Sequence, residues 1–396
     1  MENSIYQSQT IYNCLKQLNL CSIFPHSVIK HIFAILLSVF SLGYKGKTVN
    51  FQDCSPCHRT TIAYFLNHGK WDSTKLEDIL KAAVIDIIYR EALRTNKPVF
   101  CIVDDTIASK TKPSSRALHP IEDAYFHQSH LKRKKDYGHQ AVAVMLSCNG
   151  LVLNYAVVMY DKSVSKIDIV KSIANELPVP PVISYFLCDS WYTCKDLIKA
   201  FIKKGFYTLG ALRTNRLIYP CGIKCSISKF ALYMCKTDRD VSLVTVGNRK
   251  YYVYRYEGKL NGVDNAVVLL TFPANAFHNT KALRAFICTD ISLSTQKILD
   301  TYVVRWSVEV YFRQAKNILA FDKYQIRSSE GIRRYWLLMS LAHFICCTTE
   351  KEGEPFCKFE NGYHFFCKKI QEERIKYLYQ CGARNVPLEE VLALVG

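Results

Sequence analysis

The chain has 396 residues, enough for two or three domains around a substantial core. Hydrophobic residues make up 49% of it and aromatics 13%, which excludes a disordered polymer. Lysine and arginine outnumber the acids 52 to 34, so a surplus of 18 positive charges points to nucleic acid first, with an anionic membrane surface or a ribosomal contact behind it.

The first twenty residues are polar and mixed, without the pattern of an export signal. The longest apolar run, Ile32 to Leu42, is about half of the ~20 residues a bilayer span needs, and it predicts a buried helix. Cys54, Cys57 and His58 open the spacing of a zinc site, but no second ligand pair follows at a suitable distance. The 17 scattered cysteines therefore read as reduced thiols of a cytosolic protein. Thr74 to Thr95 carries Leu76, Ile79, Leu80, Val84, Ile87 and Ile88 at the three-and-four spacing of an amphipathic helix. Residues 1–95 are thus expected to form an all-helical N-terminal domain.

The period then changes. Residues 98–103 (PVFCIV) predict a short strand ending at Asp104-Asp105. Two β-rich runs follow, 139–146 and 151–158, joined by Asn149-Gly150, a strong hairpin signal. The stretch 165–177 predicts a helix closed by prolines, and 182–188 a strand ending at Asp189. Residues 193–204 predict a helix stopped by Gly205, and 206–212 a fifth strand. This order is similar to that of the ribonuclease H-like fold, in which the first and fourth strands lie side by side. Each of those two strands ends here in an aspartate. Residues 217–291 are β-rich again and read as a separate small unit. A long helix is expected over 295–319, with Ser294 as its N-cap. The boundaries expected are 96–216 and 292–350 for the two parts of the core, 217–291 for a β-strand insertion, and 351–396 for a tail contacting DNA or a second copy.

On the long helix Tyr302, Arg305, Glu309 and Lys316 share one face, since seven residues make about two turns. Leu299, Val303, Trp306 and Val310 form an apolar stripe beside them, expected to pack on the sheet. Phosphoryl transfer on DNA needs its charge neutralised at phosphorus. Two divalent ions about 3.5–4 Å apart, held by a few carboxylates, suffice.

Tyr302-x2-Arg305-x3-Glu309-x6-Lys316 resembles the Y-R-E-K pattern of a large group of bacterial insertion-sequence DDE transposases. Asp104-Asp105-Thr106 resembles that group's first aspartate motif, and Cys188-Asp189-Ser190-Trp191-Tyr192 its second. The resemblance covers roughly 98–345. It implies a ribonuclease H-like α/β core with a mixed five-stranded sheet, interrupted by a β-rich insertion. It also implies metal-dependent cut-and-paste transposition. By position, Asp104, Asp189 and Glu309 would hold two Mg²⁺ or Mn²⁺ ions, and Tyr302, Arg305 and Lys316 would contact the DNA end. Adjacent strand residues face opposite ways, so only one of Asp104 and Asp105 can reach the metals, and the motif match favours Asp104.

Two basic segments are further expected DNA contacts. One is Lys132, Arg133, Lys134 and Lys135, in a long connection over 105–138 that also holds His119, His127 and His130. The other is Arg213, Asn215 and Arg216, just after the fifth strand. The expected partners are terminal inverted repeats, target DNA and a second copy of the chain in a synaptic dimer, inside a bacterial cytoplasm at the nucleoid. The rivals are a resolvase-like or repair nuclease on the same fold and an inactive transposon-derived DNA-binding protein.

Overall fold

The computed structural model describes residues 8–118, 120–129, 133–260, 262–350, 353 and 355–395. Six helices come first: α1 (Gln9–Gln17), α2 (Leu20–Ile23), α3 (His26–Val39), α4 (Thr48–Gln52), α5 (Arg59–Asn67) and α6 (Ser73–Thr95). The apolar run from Ile32 lies mostly within α3, whose residues 34–39 are all buried. The Asp72 side chain caps α6 by accepting from the Lys75 amide, and Leu76, Leu80, Val84 and Ile88 bury its apolar stripe.

The sheet is built from β1 (Val99–Ser109), β2 (Tyr125–Ser129), β3 (Lys134–Cys148), β4 (Leu151–Tyr160), β5 (Ser184–Cys188) and β6 (Phe206–Leu212). Helices α7 (Lys166–Glu176) and α8 (Lys195–Lys203) link β4 to β5 and β5 to β6. Strand β3 lies antiparallel between β4 and β1, β5 runs parallel to β1, and β6 parallel to β5. Asn149 and Gly150 both take positive φ, 52° and 85°, and close the β3–β4 hairpin as their side chains allow.

Two boundaries differ from the expectation. Strand β1 does not stop at the aspartates. It runs to Ser109 because β3 goes on pairing with it, from Asp105 opposite Val142 to Ser109 opposite Gly138, after parallel pairing to β5 has ended at Val103. The connection over 105–138 is thereby shortened, and β2 takes up more of it by pairing with the first residues of β3.

The second difference concerns the β-rich stretch. After β7 (Leu217–Ile218), β8 (Cys225–Ser226) and α9 (Ile227–Phe230) come β9 (Val241–Val246), β10 (Arg249–Leu260), β11 (Val263–Pro273) and β12 (Arg284–Cys288). Strand β12 pairs with β6, so β9 to β12 prolong the central sheet to ten strands among the described residues. The segment still buries its own apolar cluster, including Ile218, Ile227, Met234, Leu270 and Ile287. It is continuous with the core through hydrogen bonds and through packing: Val244, Val253, Val267, Leu269 and Cys288 belong to the main core cluster, and Ile198 and Leu212 of the core join the second one.

The chain ends in α10 (Thr295–Val303), a 3₁₀ turn over Val304–Trp306, α11 (Ser307–Asn317), α12 (Ser329–Cys347), α13 (Phe359–Ala383) and α14 (Leu388–Val395). The expected helix over 295–319 is therefore two helices joined by a tighter turn. Each 3₁₀ residue advances the chain about 120° rather than 100°, so three of them rotate the next helix by roughly 60°. The packing face changes accordingly. Ile298, Leu299, Val308, Tyr311 and Ala315 are buried, whereas Val303 and Trp306 of the expected stripe are exposed. One large cluster joins the N-terminal helices to the sheet and to α12. Among the described residues no helix is long and apolar enough to cross a membrane.

Candidate active site

Val103 at the end of the parallel pairing lies opposite Cys188 of β5, so Asp104 and Asp189 each follow directly on a paired residue of adjacent strands. Adjacent strands lie about 4.8 Å apart, which brings the two backbones close without any long-range adjustment. Helix α11 packs against β1 and supplies the third acid. The Arg305 guanidinium links two of the three acids. Its Nη1 donates to Asp104 Oδ2 at 3.2 Å and its Nη2 to Glu309 Oε1 at 2.6 Å.

The acids outweigh that single cation. Burial is the main reason that the Asp104 carboxyl is pushed up to about 7, with the charges of Asp189 and Asp105 adding to it; the Asp105 amide and Arg305 oppose the rise. The Asp105 amide donates to Asp104 Oδ1 at 2.8 Å. Asp189 is held by its own turn: its Oδ1 accepts from the amides of Trp191 at 2.8 Å and Tyr192 at 3.1 Å. Arg305 Nε is buried and has no hydrogen-bond partner.

Asp105 faces other groups. Lys166 Nζ lies 2.7 Å and the Tyr192 hydroxyl 2.9 Å from its Oδ2, and Gln140 Nε2 donates to its Oδ1 at 2.5 Å. Its carboxylate is engaged by protein donors on the side of β1 opposite Arg305, as strand alternation requires.

The remaining expected residues divide into two groups. Tyr302 donates to the Cys188 carbonyl at 3.3 Å and lies under the Arg305 guanidinium, 5.6 Å from ring to Cζ; burial pushes its phenol up. Lys316 donates to Thr106 Oγ1 at 2.7 Å and to the Ile107 carbonyl at 2.9 Å, which fastens α11 to β1. Arg216 donates to the Thr193 carbonyl at 2.9 Å, behind the Asp189 turn. Arg213 and Asn215 are exposed beside it. Arg133, Lys134 and Lys135 are exposed at the start of β3. Lys132, His119 and His130 lie outside the described residues. Lys166 and Gln140 had no signal in the sequence: one opens a helix and the other sits within an apolar strand, and only the fold brings them to Asp105.

A family profile described as "Transposase DDE domain" matches residues 95–345, more than half of the chain. The chain belongs to the DDE transposase domain family. Among curated proteins none matches it significantly. The family makes it a transposase, acting on DNA.

The donor set can be tested for metal. Among the described residues no three acidic, histidine or cysteine side chains already stand as a ligand cluster. The cause is visible in the geometry: Arg305 sits between Asp104 and Glu309 and occupies an oxygen of each. The site nevertheless suits a hard divalent cation. It offers oxygen donors only, it has more negative than positive charge, and its Asp104 carboxyl is held high by burial with two further acids nearby.

Proposed function

We propose that this transposase cuts DNA at the terminal inverted repeats of an insertion sequence and joins the freed ends to target DNA, in the cut-and-paste manner of the Y-R-E-K group. The observation that carries this reading is that Arg305 joins Asp104 to Glu309, some 200 residues apart in the chain, while the β1–β5 pairing sets Asp189 on the strand beside Asp104. The order β4-β3-β1-β5-β6, with β3 reversed, supports a ribonuclease H-like core. On this reading Asp104, Asp189 and Glu309 hold two Mg²⁺ or Mn²⁺ ions, which would supply positive charge at the phosphorus and lower the pKa of the attacking oxygen.

This chain's own residues do the rest. The Asp189 turn fixes one carboxylate through its two amides, and the β1–β5 pairing fixes the other beside it. Lys316 seats α11, and with it Glu309, against β1. Arg305 neutralises Asp104 and Glu309 in the resting protein; released from them, it is placed to meet a phosphate of the DNA end, together with Tyr302 and Lys316. The exposed Arg133, Lys134, Lys135, Arg213 and Asn215, with Lys132 and Arg216, would follow the backbone of the duplex. Residues 1–95 would recognise the repeats, residues 217–291 would form the insertion, and residues 351–396 would contact DNA or a second copy. Two ends held together imply a dimer in the synaptic complex.

The test uses the full chain with Mg²⁺ and duplexes made from the DNA flanking its gene. Cutting that exposes a 3′ hydroxyl is expected, and Glu309→Gln should lower it at least about a thousandfold, as loss of a charged metal ligand would. Normal cutting by Glu309→Gln refutes the assignment. Cutting without strand transfer would instead indicate a nuclease.

A further inference from the structure

Asp105 is the acid that the metal-binding reading leaves over, yet its surroundings are built with care. Three elements reach its carboxylate: β3 through Gln140, α7 through Lys166, and the segment after β5 through Tyr192. Lys166 is only 13% exposed, and its ammonium also lies 4.2 Å above the ring of Trp191. Trp191 packs edge-on against Tyr192 with centroids 4.8 Å apart. Tyr192 is fully buried, but Trp191 is 37% exposed. The exposed indole is therefore held in place from two sides, and its amide is one of the two that grip Asp189. Its position is registered to the acidic site through one hydrogen bond.

We propose that Lys166 and Trp191 form a contact for the substrate strand beside the acidic site, and that Asp105 is the positioning residue that holds this contact; the proposal rests on the DNA-cutting reading above. A DNA strand with a phosphate at Asp189 passes the indole within one nucleotide step. An indole face takes any base or sugar without regard to sequence, and an ammonium beside it takes the next phosphate. Asp105 uses one of the three ammonium donors of Lys166 and leaves the others for the strand. It also fixes the Tyr192 hydroxyl, and through Tyr192 the turn that presents both Trp191 and Asp189.

The experiment measures the affinity of the full chain for a labelled duplex made from the gene's flanking DNA, with Ca²⁺ in place of Mg²⁺, by fluorescence anisotropy. Trp191→Ala should weaken binding roughly tenfold, within the range that loss of one stacked base gives, and Trp191→Phe should recover most of it. Lys166→Met should reduce the salt dependence of binding by about one phosphate contact. Asp105→Asn should weaken binding and raise the Mg²⁺ needed for half-maximal cutting, yet still cut at saturating Mg²⁺, whereas Asp104→Asn should cut at none. Thermal melts of each variant guard against loss of fold, and Trp191→Ala and Lys166→Met, where they stay folded, decide the matter if Asp105→Asn unfolds. Wild-type affinity in Trp191→Ala and Lys166→Met overturns the contact. An Asp105→Asn variant that binds normally but never cuts overturns the positioning role and makes Asp105 a metal ligand. If the wild-type chain binds DNA without cutting it, the DNA-cutting reading fails, while the affinities still decide whether the contact exists.

Discussion

Burial of the Asp104 carboxyl, with the charges of Asp189 and Asp105 nearby, should make the site a source of instability until metal binds. Its carboxyl is raised from 3.8 to about 7. At about 1.36 kcal/mol per unit, ionising it in the folded chain costs up to roughly 4 kcal/mol relative to the unfolded one. The side chain is 22% exposed, so water and relaxation reduce this, and about 1–2 kcal/mol is the expected net effect. The sign follows from a raised acid. The protonated form stabilises the fold fully below pH 4, and that contribution fades as pH rises through about 7. Asp104→Asn keeps an oxygen to accept the Asp105 amide and removes the charge. In EDTA at pH 8 the variant should melt about 2–4 °C above the wild type, taking ~2 °C per kcal/mol for a long chain. At pH 4.5 the gap should close. Added Mg²⁺ should raise the wild type, by about 2.7 kcal/mol at a hundred times its Kd, and leave the variant unmoved. Differential scanning calorimetry at one fixed scan rate reads all three conditions. A variant that melts lower than the wild type at pH 8 without metal, or a gap that does not change with pH, refutes this account.

Three other expectations follow from single contacts. Lys316→Met removes the donors to Thr106 and the Ile107 carbonyl; about 1–3 kcal/mol of stability should be lost, with cutting reduced more than DNA affinity, as parallel melts, binding and cleavage assays would reveal. Arg334 of α12 is buried and donates to the carbonyls of Phe65, Leu66 and Trp71; Arg334→Met should cost about 2–4 kcal/mol in denaturant unfolding, because it removes this donor from the Leu66 and Trp71 carbonyls and leaves Phe65 only the Trp71 indole. A Cβ on Gly138 would lie 2.1 Å from the Ala108 carbonyl oxygen in the paired strand; Gly138→Ala should therefore destabilise by about 3 kcal/mol or more and disorder the end of β1, visible as faster amide exchange over 105–109.

What the sequence disclosed depended on how far apart the causes lie. Local causes were legible: the stripe of α6, the Asn149-Gly150 turn, and the short apolar strand that ends just before Asp189. Within the Tyr302–Lys316 pattern Arg305 does pair with Glu309, although the four residues lie on two helices and the 3₁₀ turn between them rather than on one continuous helix. The misreadings had non-local causes. Asp104-Asp105 looked like a strand end because two charges interrupt an apolar run, but β3 was available to pair beyond them. The stripe through Val303 and Trp306 assumed one helical period across a stretch that contains a 3₁₀ turn. The β-rich segment read as separate because nothing local announces that β12 will pair with β6.

The continuation of β1 past its parallel partner also explains how two adjacent acids can have different work. At Val103 the strand still has β5 on one side; from Asp104 on, that side is open, and only β3 remains paired. A carboxylate there has access to solvent and substrate while its backbone stays in a hydrogen-bonded ladder. Alternation then sends Asp104 towards Arg305 of the 3₁₀ turn between α10 and α11, and Asp105 towards Lys166 of α7. Asp104 meets one guanidinium that it shares with Glu309. Asp105 meets the Lys166 ammonium, a phenol and a side-chain amide, all supplied by the protein. The proposed assignment of Asp104 as the ligand rests on this difference: its carboxylate meets a shared guanidinium and one amide, whereas three side chains converge on that of Asp105.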